Sequence, residues 1–399
     1  MSLEYRSPEY RSPDQRAADI ARELPAALAH ARRAAAYRDM PEVPLADLPV
    51  LRKSDLVAGQ GAAPPFGGMN AAPLGSLARV FLSPGPIVEG HGYGPDPFRF
   101  ARALTATGLR PGDLLHNCFA YHFTPAGYML EAGAHALGCP VFPGGTGNTE
   151  QQARAIALLR PRGWCGTPDF LKTVLEKGDE LGLDLTSLAV AHVSGGAYLP
   201  ALRAFYTARG IAARQSYASA DAGVIAYETE ANDGLVVDEG VLVEILRPGT
   251  GEPLPEGEVG EVVVTTLSAT TAWPLVRFAT GDLSAVLPGL SPCGRTNMRL
   301  RGWMGRADQA AKVRGMFIRP EQIAAIARAV PAAGRLRLVV TLDGTRDVLT
   351  LRAEGDPTLA ERLAAALADA TKLRGTVAMA PPGSLPNDGK VIEDLRPVP

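Results

Sequence analysis

Between about residue 79 and residue 217, short apolar runs alternate with amphipathic stretches of helical spacing. A chain patterned in this way buries its strands as a mostly parallel sheet with helices laid over it. Leu188 to Val193 and Ile211 to Tyr217 are strand candidates, and Pro200 to Ala208 between them has helical spacing. The stretch therefore predicts strand, helix, strand, with glycines at the turn. From Val241 to Leu246 and from Val259 to Thr266 the texture changes to alternating β-branched residues around the turn-rich spacer Arg247 to Gly257. That change predicts a β-rich second half of a large domain. After Gly305 the pattern shortens to a helix at about 320–329, strands at about 335–341 and 347–353, and an alanine-rich helix at about 357–373. It predicts a compact α+β module of roughly 90 residues, the size of a small domain. The fold class expected is α/β: a large N-terminal domain with helix-covered sheets and a β-rich subdomain, followed by a small α+β C-terminal domain. The first 45 residues, rich in alanine and arginine, predict helix and carry no motif.

With 399 residues the chain can form two domains or three, with ample length to bury a sizeable core. Its 40 basic and 42 acidic side chains are interspersed and sum to a net charge of −2. That balance leaves no electrostatic footprint for nucleic acid or an anionic membrane surface, and it points to a small-molecule partner. Cys118, Cys139, Cys165 and Cys293 are widely spaced and form no CxxC pair, so free thiols in a reducing compartment are expected. The N-terminus is charged, and no apolar run approaches the ~20 residues that span a bilayer. The expectation is a cytoplasmic protein with no nucleic-acid and no membrane partner.

Several short motifs carry chemistry. Asp282, in Phe278-Ala-Thr-Gly-Asp-Leu283, follows a turn glycine, where an exposed carboxylate can accept two hydrogen bonds from a ribose diol. Charge-assisted bonds of that kind are worth about 1.5–3 kcal/mol each when shielded from water. Taken alone, Gly281-Asp282 is equally a plain turn, Gly305-Arg-Ala-Asp308 is a common surface turn, and Lys390 in Leu385-Pro-Asn-Asp-Gly-Lys390 is a solvated terminal lysine. In Tyr121-His-Phe-Thr-Pro-Ala-Gly127, aromatic and small residues precede a helix, and Gly144-Gly-Thr-Gly147 is a glycine-rich turn. Tyr121, His122, Phe123, Gly144, Gly145 and Thr146 are therefore candidates for an acyl pocket. His116 and His122 fit packing as well as chemistry.

These pieces occur in a fixed order with Leu51-Arg-Lys-Ser-Asp-Leu56, Gly144 to Glu150, Pro274 to Leu283 and Cys293-Gly-Arg-Thr296. Together they make the chain resemble the adenylate-forming (acyl-CoA synthetase, or AMP-binding) superfamily, and within it the phenylacetate–coenzyme A ligase branch, from about Leu51 to Arg396. The resemblance implies an adenylation domain over 1–304, a hinge over 305–309 and a mobile lid domain over 310–399. It implies that Asp282 meets the ribose, that Arg306 meets the ribose or the α-phosphate, and that Asp308 absorbs the rotation of the small domain. Lys390 matches the catalytic lysine that bridges the substrate carboxylate and the α-phosphate, where a point cation stabilises developing charge. Gln215, Tyr217, Ala218 and Ser219 match the adenine segment, with the Tyr217 ring against the purine. Gly195, Gly196 and Ala197 match the backbone under the adenine, Gly196 standing where relatives carry an acidic residue. Asp221 stands in place of the usual glutamate as the Mg²⁺ ligand and reaches one methylene less far.

The phosphate loop departs from the family pattern, which is a Ser/Thr/Gly-rich run ending in lysine. The matching segment is Phe81-Leu-Ser-Pro-Gly-Pro-Ile-Val-Glu-Gly90, where Pro84 and Pro86 have no N–H and Glu89 adds negative charge. Two readings stay open. One is a ligase that holds pyrophosphate through Ser83, Gly85 and a metal ion on Glu89. The other is a paralogue that binds AMP, an acyl-adenylate or an acyl-CoA without the ATP half-reaction. The resemblance implies ATP/AMP, Mg²⁺ and coenzyme A as cofactors. No zinc is expected, since only Cys293 remains as a thiolate candidate where some relatives bind it. The function expected is an ATP-dependent ligase that forms an acyl-adenylate from an aryl or arylacetic acid and passes the acyl group to coenzyme A. A carrier protein is the alternative acceptor, and a homodimer is left open.

Overall fold

The computed structural model describes residues 7–83, 86–196, 198–307, 311–313, 316–343, 346–386 and 390–396. The chain divides into two compact units. One comprises Met1–Thr280 with Ala285–Gly302, and the other Gly281–Ser284 with Trp303–Pro399.

The first unit begins with helix α1 (Pro13–Ala31), capped by the Ser12 side chain, and helix α2 (Lys53–Ala62). An antiparallel hairpin follows, β1 (Leu77–Ser83) and β2 (Ile87–Gly92), closing with Ser83 opposite Ile87. The alternating stretch then delivers α3 (Phe100–Thr107), β3 (Leu115–Asn117), α4 (Ala126–Ala136), β4 (Val141–Phe142) and α5 (Thr149–Leu159). It continues through β5 (Gly163–Gly166), α6 (Pro168–Glu180), β6 (Val190–Val193), α7 (Pro200–Ala208) and β7 (Ala212–Ser219). These strands are parallel, in the order β4-β3-β5-β6-β7. The sheet then turns antiparallel through β8 (Gly223–Glu228) and β9 (Leu235–Val237).

Every residue of β5 and β6 is buried, as a parallel strand covered on both faces requires. Alternation sorts their side chains. Cys165 and Val190 join a core with Phe100 and Leu104 of α3 and Met129 and Leu130 of α4. Trp164, Ala191 and Val193 face the opposite core, with Ile156 of α5, Leu171 and Val174 of α6 and Tyr206 of α7. The expected strand–helix–strand unit at 188–217 is thus present, with its helix at the predicted residues.

The β-rich part is the sheet β10 (Val241–Leu246), β11 (Gly260–Thr266) and β12 (Phe278–Ser284). Its apolar face, including Val243, Val262, Val264 and Phe278, packs with Leu56 of α2 and Ala31 of α1. The central sheet is completed beyond β9 by β13 (Val286–Leu287) and β14 (Arg299–Leu300).

The second unit opens with the short pair β15 (Ala311–Val313) and β16 (Met316–Ile318), then α8 (Pro320–Ala329). Strands β17 (Leu336–Asp343) and β18 (Arg346–Glu354) form an antiparallel pair, and α9 (Ala360–Thr371) follows. Strand β19 (Thr376–Ala380) joins β18, and β20 (Ile392–Asp394) joins β17, both in parallel. Ile323 and Ile326 of α8 and Leu363 and Leu367 of α9 cover Leu338, Val340, Leu349 and Leu351 of the sheet. All four cysteines are free. Among the described residues no helix is long and apolar enough to cross a membrane.

Gly166 ends β5 against the Trp164 indole and the Cys118 side chain, leaving no room for a methyl group. Gly166→Ala is expected to lower unfolding stability by about 1–3 kcal/mol, the usual cost of overpacking a filled core. Chemical denaturation reads this directly, and an unchanged midpoint would show that the indole yields freely.

Candidate functional site

Parallel strands of an open sheet present their carboxyl ends on one side, where such folds bind ligands. The chain's candidate residues follow those ends. Strand β3 leads through Asn117 to Tyr121, His122 and Phe123, and β4 leads to Gly144, Gly145 and Thr146. Strand β6 leads to Gly195 and Gly196, while Gln215, Tyr217, Ala218 and Ser219 lie within β7 itself.

Buried Asn117 ties the two acyl-pocket candidates together. Its Nδ2 donates to Tyr121 Oη at 2.8 Å and to the Gly127 carbonyl at 2.9 Å, and its own carbonyl accepts from Gly145 N at 2.9 Å. Tyr121 Oη in turn donates to Glu131 Oε2 at 2.8 Å. Gln152 of α5 holds the glycine turn, its Nε2 donating to the Gly144 carbonyl at 2.9 Å and the Gly145 carbonyl at 3.1 Å. His116 Nε2 lies 2.6 Å from Gln152 Oε1. A side chain on Gly144 would meet Gln152 and His116. His116 is thus a fully buried support of that turn, held neutral because burial lowers its pKa. His122, Phe123 and Thr146 are exposed. Asn117, Glu131 and Gln152 carry no signal in the sequence, because their partners are set by the fold.

The adenine candidates form a shallow floor. Gly195 and Gly196 are exposed above Thr167 and Pro168, and Ser194 Oγ beneath them donates to the Ser216 carbonyl at 2.9 Å. Tyr217 Oη donates to Thr280 Oγ1 at 3.0 Å, which passes the bond to the Val262 carbonyl at 2.9 Å. Ser219 Oγ accepts from Ala222 N at 3.1 Å, closing the turn that carries Asp221.

Asp221 meets the degenerate phosphate loop. It is 5% exposed, and Lys53 Nζ of α2 lies 3.5 Å from its Oδ2. Glu89 of β2 is fully buried and near enough to Asp221 for its charge to act on that carboxyl. Ser83 is also buried, its Oγ donating to Glu89 Oε1 at 2.7 Å. His91 Nε2 lies 3.8 Å from Glu89 Oε2. Glu89 Oε2 and Asp221 Oδ1 are both buried and meet no hydrogen-bond partner among the described residues. Burial pushes Glu89 up to about 7 against the opposing Ser83 bond and Lys53 charge. Burial, reinforced by the Glu89 charge, raises Asp221 to about 6. Burial lowers His91 to about 4, so it is neutral. Among the described residues no three His, Cys, Asp or Glu are placed to hold a metal ion.

The second unit carries its own group. Trp303 Nε1 donates to Asp282 Oδ1 at 3.0 Å, and Arg306 Nη1 lies 3.5 Å from the same oxygen. Gly281 has φ +77°, and a Cβ there would come within 2.8 Å of Arg306 Nη2. Glycine is required both by the dihedral and by the guanidinium lying on the strand. Lys390 is exposed, one residue before Val391, whose carbonyl accepts from Leu338 N at 2.8 Å. Arg277, close to Asp282 in sequence, is instead a core ion pair with Glu244 at 3.0 Å. Gly85, Ala197 and Asp308 lie outside the described residues.

The family model described as AMP-binding enzyme matches residues 109–271. The phenylacetate-coenzyme A ligase of Thermus thermophilus is 31% identical over 404 residues, covering 90% of this chain and 88% of that enzyme. The phenylacetate-coenzyme A ligase of Aromatoleum evansii is 35% identical over 328 residues, 78% of this chain and 72% of that enzyme. Among solved structures, a 2-hydroxyisobutyryl-CoA ligase in the postadenylation state with 2-HIB-AMP superposes with a TM-score of 0.80 at 25% identity, over 97% of this chain and 91% of that one. The same ligase with 2-HIB-AMP and CoA in the thioesterification state gives a TM-score of 0.69.

The buried carboxyl pair generates a pH signature. Glu89 is raised from its ordinary 4.5 to about 7, so below 4.5 it is protonated whether the chain is folded or not. Above that pH the unfolded chain ionises freely while the folded one keeps the proton, and folding stability falls as pH rises toward 7. Glu89→Gln carries no such cost, and between pH 5 and pH 8 it should gain about 2 kcal/mol on the wild type, given ~1.4 kcal/mol per pKa unit. Urea unfolding of both proteins at the two pH values tests this. A difference that does not change with pH would show that Glu89 is not the group that titrates.

Proposed function

The chain belongs to the phenylacetate–coenzyme A ligase family of AMP-binding enzymes, and on that premise we propose how its residues divide the work. It is an AMP-forming acid–thiol ligase. A carboxylate attacks the α-phosphate of ATP to give an acyl-adenylate and pyrophosphate, and the coenzyme A thiol then takes the acyl group and releases AMP.

The observation that supports the assignment is that Tyr121 to Phe123, Gly144 to Thr146 and Gly195 to Gly196 follow the carboxyl ends of the parallel strands β3, β4 and β6, while Asp282, Arg306 and Lys390 are assigned by the resemblance. Tyr217 would lie against the purine, with Gly195 and Gly196 allowing close backbone approach. Asp282 would accept the ribose hydroxyls, and Arg306 would place positive charge toward the α-phosphate. Lys390 would meet the carboxylate and phosphate oxygens, where negative charge builds as the bond forms. Tyr121, Phe123, Gly144, Gly145 and Thr146 would line the acyl pocket, and the likeness to phenylacetate-coenzyme A ligases supports an aryl or arylacetic acid there. His122 would stand at its edge.

The buried oxygens Asp221 Oδ1 and Glu89 Oε2, lacking donors, fit a hard cation. Asp221 and Glu89 would hold Mg²⁺ and leave its other positions to phosphate oxygens and water. There it would supply charge neutralisation for the departing pyrophosphate. This fits the acidic phosphate loop, since Glu89 without a cation repels polyphosphate. Ser83 is committed to Glu89 and serves as its support.

Carboxylate-dependent ATP–pyrophosphate exchange across arylacetic, aryl and short aliphatic acids tests the reading. Arylacetic and aryl acids are expected to support exchange, and chelation of Mg²⁺ to abolish it. Lys390→Ala should reduce exchange by about a hundredfold or more, the scale of losing a charge that acts in the transition state. Binding of AMP without exchange for any acid would overturn the first half-reaction and leave a nucleotide-binding paralogue.

A further inference from the structure

We infer that Trp303 is a positioning residue of the nucleotide site, its indole N–H fixing the Asp282 carboxylate for the ribose diol. The inference rests on the reading of Asp282 as the ribose acceptor. Trp164 and Trp273 are 1% and 2% exposed and fill cores, whereas Trp303 is 49% exposed. An indole left half in water contributes little by burial, so its placement calls for another reason.

The backbone supplies the aim. Met304 N donates to the Leu283 carbonyl at 2.9 Å, and Leu283 N donates to the Gly305 carbonyl at 2.8 Å. These two bonds lace the segment after Trp303 to the residue after Asp282, which brings indole and carboxylate side by side. Gly305 has φ +122°, and a Cβ there would run into Pro320, so the lacing depends on glycine at that position. Arg306 and Trp303 then address one and the same oxygen, Asp282 Oδ1.

A carboxylate has about four acceptor positions. Two donors on one oxygen set its rotation. The indole N–H is neutral, so it orients Asp282 without adding a second cation to the one Arg306 supplies. Fixing an acceptor before the ligand arrives removes an ordering cost from binding.

The test uses the full chain with AMP as probe. Trp303→Phe keeps the ring and removes the donor. AMP binding should weaken about fivefold to tenfold, a part of the effect of a hydrogen bond to a charged group because the site is half exposed. The KM for ATP should rise with kcat within about twofold, while the KM values for acid and coenzyme A stay put, the pattern of a lost binding interaction. Trp303→His, which retains a ring N–H, should recover most of the loss. In the wild type, iodide should quench mainly Trp303, and AMP should protect it. Trp303→Phe binding AMP like wild type would overturn the inference, and so would Phe and His variants weakened alike together with a lowered melting temperature. If Asp282→Asn also bound AMP like wild type, the ribose reading itself would fall, and Trp303 with it.

Discussion

Strands β5 and β6 are buried on both faces, and much else in the first unit depends on that double burial. A strand covered on both sides has no solvent face on which to carry function, so chemistry is displaced to the residues just past its end. Trp164 and Cys165, adjacent in sequence, point into opposite cores, and the same alternation places Val190 against α3 and Ala191 against α6 and α7. The helices are thereby locked in place. The loops after β3, β4 and β6 stand on a floor that can neither slide nor breathe without opening a core.

Buried charge separates structural from functional groups in the same unit. Arg277 is satisfied by Glu244 and by the Ala46 and Leu48 carbonyls. Arg295 is paired with Glu9 at 2.8 Å, and Glu9 also accepts from Tyr227. Both networks are satisfied and read as architecture. The Glu89–Asp221 pair is not satisfied. It keeps carboxylate oxygens without donors, in a place where desolvation makes each one costly. A fold keeps such a cost where a ligand or ion relieves it.

The fold was largely legible because its signals are local. The 3.6-residue period of Pro200 to Ala208 and the β-branched run of Val241 to Leu246 mark elements found at those residues. The parallel character of the sheet follows from alternation, while its strand order was not read from the sequence. Asp282, Arg306 and Lys390 were singled out by motif context, as site candidates that the resemblance implies. What escaped is long-range. Gln152 holds the Gly144 turn from a different helix, and Asn117 joins loops that sequence treats as separate. Ser83 looked like a phosphate ligand in a serine–proline–glycine run, yet its hydroxyl turns inward to Glu89. Trp303 carries no motif signal of its own, and its bond to Asp282 depends on the fold. Each of these depends on which segments the fold brings together, and no window of sequence reports that.

The phosphate loop shows how one lost motif can be offset by charge balance. A loop of N–H groups and a lysine cradles phosphate with fixed dipoles and one cation. Here the hairpin closes from Ser83 to Ile87, and the negative charge of Glu89 lies beside Asp221. Two carboxylates can be balanced by one shared proton together with Lys53, or by a single divalent cation. Lys53, 3.5 Å from Asp221, is 38% exposed at its side chain and so partly open to solvent. A divalent cation held by Glu89 and Asp221 would then take over the balancing charge. If the proposed site holds Mg²⁺, the acidic residue that looks hostile to polyphosphate would retain the ion that polyphosphate needs, and a metal-dependent cradle would stand in for the backbone one.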